Sequence, residues 1–288
     1  VKEVRTDFFI VGAPKAGTTA LYSALAKHPK IFLPELKEPN YFSSADLLKD
    51  PLYYRETIIT TAEAYGRLYH QAGNRLRGDA SVSYLYYPET ARRIFEHNPQ
   101  ARIIIMLRHP VERAISHYLM DKRLGYVKHP LEEIFEKGPS GYRVFFQQYF
   151  LLGLYTNQIE RYLKTFGDNQ VKIIFFEQLK DHFSLVVKGI LGFLGIVDDR
   201  WQPILSNRNP SFELTHPLLS RLYGQRWLRK TLKKMLPERL NSYLMKQFTH
   251  PARSILQDVF RQKLLAFYRN DILQLSQLLK TDLSHWLR

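Results

Sequence analysis

The sequence contains no cysteine. That excludes a thiol nucleophile, a disulfide framework and any cysteine-ligated metal site. It is also short of acid: 27 Asp and Glu stand against 42 Lys and Arg, a formal net charge of +15. Such an excess favours anionic partners, whether phosphate-rich ligands, acidic lipid surfaces, polyanionic glycans or nucleic acid, and does not choose among them. No apolar run approaches the roughly 18 residues that a spanning helix needs. The run at Phe8–Ala13 is short and passes straight into a Pro-Lys-Ala-Gly turn, which is the pattern of a strand and not of a leader peptide. With neither cysteine nor leader, a cytoplasmic location is expected. Internal repeats, low-complexity tracts and clean linkers are missing too, so one domain over 1–288 is the economical expectation.

What is present is enough apolar material for a large core, 45% of 288 residues. Three continuous apolar runs, Phe8–Val11, Arg102–Leu107 and Val171–Phe176, show no alternation, as strands buried on both faces of a parallel sheet should. Shorter strands are expected at Ile31–Leu33 and Arg75–Arg77. Helical spacing predicts helices over 18–26, 89–96, 111–122, 157–165 and 183–194, with Pro110 at a first-turn position. The alternation predicts an α/β, three-layer P-loop-like fold with a mostly parallel central sheet flanked by helices. From Leu218 onward the periodicity is helical and no strand is expected, which gives a helix-rich C-terminal extension over about 211–288.

The segment Gly12-Ala13-Pro14-Lys15-Ala16-Gly17-Thr18-Thr19 joins the first strand to the first helix. Backbone amides at a helix start attract an anion. Gly12 and Gly17 have the spacing of a Walker A loop, yet the residue after the second glycine is Thr18, and the lysine sits earlier, at Lys15. No strand end supplies an Asp for magnesium; the best one leads into Arg108. The loop therefore suits a phosphoryl-like group without a metal. It resembles the 5′-phosphosulfate loop of the sulfotransferases that use 3′-phosphoadenosine 5′-phosphosulfate (PAPS). The resemblance implies that Lys15, Ala16, Gly17, Thr18 and Thr19 bind that cofactor, with adenosine 3′,5′-bisphosphate as product.

A second segment, Leu107-Arg108-His109-Pro110 through Ser116-His117-Tyr118, is similar to the family's 3′-phosphate motif. There an arginine at a strand end and a serine eight residues later hold the 3′-phosphate. Arg108 offers a permanently charged fork and Ser116 a hydroxyl; His109 and His117 read as packing or solvent-facing residues. The stretch Lys37-Glu38-Pro39-Asn40-Tyr41-Phe42 resembles the segment of glycan-type sulfotransferases that carries a glutamate base. That implies Glu38 as catalytic base and Lys15 as the charge that stabilises the leaving phosphate; Glu35 is a rival carboxylate. Gly78-Asp79-Ala80-Ser81-Val82-Ser83-Tyr84 looks like a further family segment, with Ser81 and Tyr84 expected to line the acceptor pocket. The heparan-sulfate branch often carries a lysine where Ala80 stands, so the resemblance is to a bacterial-type relative of the glycan and heparan sulfotransferases.

Arg208, within Asn207–Pro210, is expected to add a phosphate contact. Over 221–239 seven Lys and Arg interleave with Leu, Met and Trp227, a pattern shared by a solvated core helix, an anionic-membrane surface helix and a polyanion site. The sequence thus reads as a metal-independent sulfotransferase acting on a hydroxyl or amine of a carbohydrate, lipid or small natural product. A small-molecule kinase and, behind it, a basic nucleic-acid-binding protein are the alternatives; neither a helix-turn-helix nor an aromatic-faced sheet supports the latter.

Overall fold

The computed structural model describes residues 4–52, 57–198, 200–203, 212–214, 249–251 and 258–288. Strand β1 (Phe8–Gly12) is buried at every position, and β4 (Arg102–Leu107) at all but its first. They are neighbours at the centre of a five-stranded parallel sheet in the order β2-β3-β1-β4-β5. The other strands are β2 (Ile31–Phe32), β3 (Leu76–Ala80) and β5 (Val171–Phe175). A parallel sheet needs a crossover between successive strands, and helices supply them: α1 (Thr18–Leu25) follows β1, α2 (Ser44–Lys49) and α3 (Ala62–Arg67) follow β2, and α4 (Thr90–His97) follows β3. After β4 come α5 (Pro110–Arg123), α6 (Leu131–Tyr149) and α7 (Thr156–Phe166); after β5, α8 (Phe176–Asp181) and α9 (Phe183–Phe193). The chain closes with α10 (Asp258–Leu279) and a 3-10 turn at Ser284–Leu287.

The chain divides into two compact units, residues 1–109, 154–208 and 271–286 in the first, and 110–153, 209–270 and 287–288 in the second. The first holds the sheet. Helix pairs flank it, α1 with α9 and α4 with α7; Phe95 of α4 meets Phe166 of α7 edge-on, 5.5 Å between ring centres. The chain runs outward from β1 to β2, returns to β3 beside β1, and then crosses to β4 on the other side. In open α/β sheets such a reversal leaves a crevice at the carboxyl ends of the strands, the ordinary place for a ligand.

In the second unit, buried residues at i, i+4 and i+8 of α5 secure the end of α6. Arg113, wholly buried, donates to the carbonyls of Gln148 (3.1 Å) and Tyr149. The Tyr149 hydroxyl donates in turn to Asp121 (2.8 Å). The last carbonyls of a helix lack partners within it, and α6 finds them on α5. Phe135, Phe146 and Phe150 of this unit pack with Phe260 and Phe267 of α10.

One expectation is corrected here. Thr249–Pro251 (β7) pairs antiparallel with Phe212–Leu214 (β6), so the C-terminal region is not free of strand. Three residues are too few to carry a period, and the partner lies far off in sequence. Arg208 and the basic stretch 221–239 fall outside the described residues.

Candidate active site

The phosphate loop is shaped by its two glycines. Gly12 has φ 154° and Gly17 φ 91°, regions that residues with a Cβ rarely enter. There is also no space for one: a Cβ would stand 2.8 Å from Cβ of Leu85 at Gly12, and 2.9 Å from Cδ2 of Leu179 at Gly17. The loop hangs from the end of β4 by the Ala13 amide, which donates to the Met106 carbonyl (2.7 Å). Gly17 is the N-cap of α1 and no side chain caps that helix. The first amides of a helix have no i−4 partner within it; that of Ala20 donates to the Gly17 carbonyl (3.0 Å), which leaves those of Thr18 and Thr19 at the loop with the positive end of the dipole behind them. Ala16 and Thr18 are buried, Lys15 and Gly17 half-buried and Thr19 exposed. Lys15 has a left-handed backbone, φ 69°.

Arg108 leaves the end of β4, next to β1, and reaches this loop. Its Nη1 donates to the Lys15 carbonyl (3.1 Å), its guanidinium lies 4.7 Å from the centre of the Phe176 ring, and its own carbonyl accepts from Tyr155 Oη (2.9 Å). Two residues expected to grip separate ends of a ligand are therefore joined: Arg108 also braces the lysine loop. Ser116 belongs to the second unit, two turns into α5, and is half-buried. His109 and His117 are both buried, His109 against Trp286 and His117 beneath the α6 terminus, in keeping with packing roles.

Glu38 comes to the same edge from the other side of β1. Its amide donates to the carbonyl of Ala80 at the end of β3 (3.1 Å), and its backbone is left-handed, φ 67°. Its carboxylate lies 2.5 Å from the Lys37 ammonium, and both side chains are largely covered. Glu35 is exposed. Of the two glutamates, only Glu38 is tied to the sheet edge. Sequence reasoning missed the Lys37 pair, because adjacent side chains point apart in a regular helix or strand and only this turn brings them together.

Beneath the Glu38 turn lies a buried polar cluster. Asp79 is wholly buried on β3; its Oδ1 accepts from Ser81 Oγ (2.9 Å), and its Oδ2 from the hydroxyls of Tyr65 (3.0 Å) and Tyr84 (2.9 Å). Burial pushes its pKa up to about 6; the three hydroxyl donors act the other way, and the Glu38 charge adds to the rise. The phenols of Tyr65, Tyr69 and Tyr84 are held well above their ordinary range, first by burial and then by the Asp79 charge. Ser81 and Tyr84, expected at the acceptor pocket, are fully buried and turned inward instead. The reason is the carboxylate: two hydroxyls close to a buried Asp satisfy it rather than a ligand.

Residues 5–264 match the family profile described as "Sulfotransferase domain". The chain is similar to a sulfotransferase from Alicyclobacillus acidocaldarius of known crystal structure, with 31% identity and a TM-score of 0.72 over 99% of this chain and 100% of that one. The membrane-associated sulfotransferase kil1 of Dictyostelium discoideum is 36% identical over 112 residues, 39% of this chain and 22% of that protein. The bifunctional heparan sulfate N-deacetylase/N-sulfotransferase 3 of Homo sapiens is 28% identical over 196 residues, 66% of this chain and 22% of that protein. The chain thus spans about a fifth of the length of these curated relatives. A family profile matched over that much of the sequence makes this chain a member of the sulfotransferase family.

Proposed function

We propose that the enzyme takes its sulfuryl group from PAPS and delivers it to a hydroxyl or amine of a carbohydrate, lipid or small natural product. The observation that carries this reading is the convergence of an uncapped helix start, a glycine loop without room for side chains, Lys15 and Arg108 at one sheet edge. Those groups fit a ligand with a phosphate at its 5′ end. Ser116 is assigned to the 3′-phosphate with Arg108, and Arg208 to a further phosphate contact. Bound there, PAPS supplies an activated sulfur whose bond to the 5′-phosphate oxygen breaks as the acceptor attacks.

Glu38 takes the acceptor proton, which leaves the acceptor oxygen or nitrogen free to bond to sulfur. Lys15 and the first-turn amides of α1 hold the negative charge that develops on the phosphate side. Lys37, by its ion pair, restrains the Glu38 carboxylate. These roles are positional and electrostatic, so the reading assigns no metal. The kinase and nucleic-acid alternatives find no observation in their favour. Stretch 221–239 keeps its three readings, a solvated core helix, an anionic-membrane surface helix or a polyanion site, and heparan sulfate belongs to the relatives' names, from which the glycan option draws support.

The test is a thermal-shift titration with adenosine 3′,5′-bisphosphate, followed by labelled-PAPS screening of glycans, lipids and phenols. Wild type is expected to shift, Lys15→Ala and Arg108→Ala to shift far less, and Glu38→Gln to shift normally while losing transfer. No shift at millimolar nucleotide overturns the donor; near-normal turnover by Glu38→Gln overturns the base.

A further inference from the structure

The turn that carries Glu38 contains two non-glycine residues in the left-handed region, Glu38 (φ 67°) and Asn40 (φ 56°), one on each side of Pro39. Such residues persist where their surroundings over-determine them. Asn40 is wholly buried, and its polar groups are all engaged. Its backbone amide donates to Ser81 Oγ (3.1 Å) and its Nδ2 to the Glu38 carbonyl (2.9 Å). Its Oδ1 accepts from Ser83 Oγ (2.7 Å) and its carbonyl from Ser43 Oγ (3.3 Å).

Proton counting then leads inward. Ser81 has a single hydroxyl proton; its oxygen accepts from Asn40, so the proton goes to Asp79. Tyr65 and Tyr84 likewise give their protons to Asp79. Three donors converge on one carboxylate, and among the described residues no ion pair neutralises it. An uncompensated buried carboxylate is an unfavourable way to hold a fold together. It is an effective way to fix one turn, because a charged acceptor roughly doubles the strength of each hydrogen bond it receives.

We propose that Asp79 is a positioning residue for sulfuryl transfer, acting through Ser81 and Asn40 to fix the left-handed turn that presents the Glu38 carboxylate. The inference rests on the reading of Glu38 as the base. Asp79 itself touches no reactant. Its oxygen sets the Ser81 hydroxyl, Ser81 sets the Asn40 backbone, and the Asn40 side chain holds the Glu38 carbonyl. The Glu38 amide is held independently by the end of β3, so loss of the Asp79 chain is expected to rotate the turn and not to unravel it.

The experiment compares Ser81→Ala, Asp79→Asn, Glu38→Gln and the double variant Glu38→Gln with Ser81→Ala, using steady-state transfer from PAPS. Ser81→Ala is the gentler probe, since Asp79 keeps both tyrosines. We expect Ser81→Ala to lower kcat by about 10- to 100-fold, the scale on which small misplacement of a catalytic group acts. KM for PAPS and the thermal shift with adenosine 3′,5′-bisphosphate are expected to stay at wild-type values. Asp79→Asn is expected to show the same split, with a larger fall. The residual rate of Glu38→Gln should fall no further when Ser81→Ala is added, because residues acting as one unit are not additive. A purely structural role would instead lower melting temperature and active-enzyme concentration, with kcat per active site unchanged. Wild-type kcat in Ser81→Ala, or a full second loss in the double variant, overturns the inference while leaving an inactive Glu38→Gln to support the base. A fully active Glu38→Gln removes the base itself, and this inference with it.

Discussion

At Asp79 the loss of water on burial outweighs what three hydroxyl donors return, and the carboxyl is pushed up to about 6 from 3.8. The folded protein therefore keeps this proton at pH values where the unfolded chain has lost it. The contribution to stability is fully present below about pH 4 and is lost as pH rises through about 6, a difference on the order of 3 kcal/mol. The unfolding free energy of wild type, measured against that of Asp79→Asn, should then rise as pH is lowered from 7 to 4. Urea melts at matched pH read this directly, and a pH-independent gap would contradict it. Gly17→Ala makes a second test at this scale. With φ 91° and a Cβ 2.9 Å from Leu179, the variant should lose the nucleotide-induced thermal shift and about 1–3 kcal/mol of stability. Lys15, Arg108 and Glu38 could be named from the sequence because each lies in a short contiguous segment that resembles a family motif. Asp79 was not: the role proposed for it depends on Tyr65, 14 positions before it, and on Asn40, which lies 41 positions before Ser81.

Among the elements, α7 shows how a distant residue completes a helix. No side chain of its own caps it. The amides of Tyr155 and Thr156 donate instead to the carboxylate of Asp271 (2.7 and 3.1 Å), about 115 positions on, and Thr156 Oγ1 donates to the Asp271 carbonyl (2.9 Å). All of these residues lie in the first unit, and Tyr155 also holds the Arg108 carbonyl. Asp271→Ala should cost about 1–2 kcal/mol, with Asp271→Asn costing less because an amide oxygen still accepts; equal melting temperatures for all three proteins would refute this. Strands β1 and β4 were readable to within a residue because both of their faces are buried and the runs are continuously apolar, and β5 because Val171, Ile173, Ile174 and Phe175 still make a dense apolar run although only Val171 and Ile174 are fully buried. The expected strand at Arg75–Arg77 proved to be Leu76–Ala80, since the buried Asp79 interrupts the apolar signal. The β6–β7 ladder had no signal, being three residues long on each side.

For the molecule as a whole, the +15 charge and the proposed nucleotide site should respond differently to salt. Diffuse attraction to a polyanion such as heparin is screened within about 8 Å at physiological ionic strength. A ligand held in the loop by directed amides and a charged fork is screened less. Heparin retention should therefore collapse as salt is raised while the nucleotide shift largely persists; parallel loss of both would indicate that the nucleotide binds only by net charge. Mass action sets the size of that shift: adenosine 3′,5′-bisphosphate at a hundred times its Kd should add about 2.7 kcal/mol to the unfolding free energy.

The sequence by itself determined the parallel α/β architecture and the glycine loop with its displaced lysine, because apolar periodicity and turn chemistry are local properties. The tertiary structure decided how the site residues are held. It joined Arg108 to the Lys15 loop across 93 positions, turned Lys37 onto Glu38, sank Ser81 and Tyr84 onto Asp79, and gave α7 its cap from α10. The turns around Glu38 and after β3 decide the Lys37, Ser81 and Tyr84 contacts, whereas the Arg108 and Asp271 bonds join segments that only sheet order and helix packing bring together, and such bonds leave no trace in the spacing of residues along the chain.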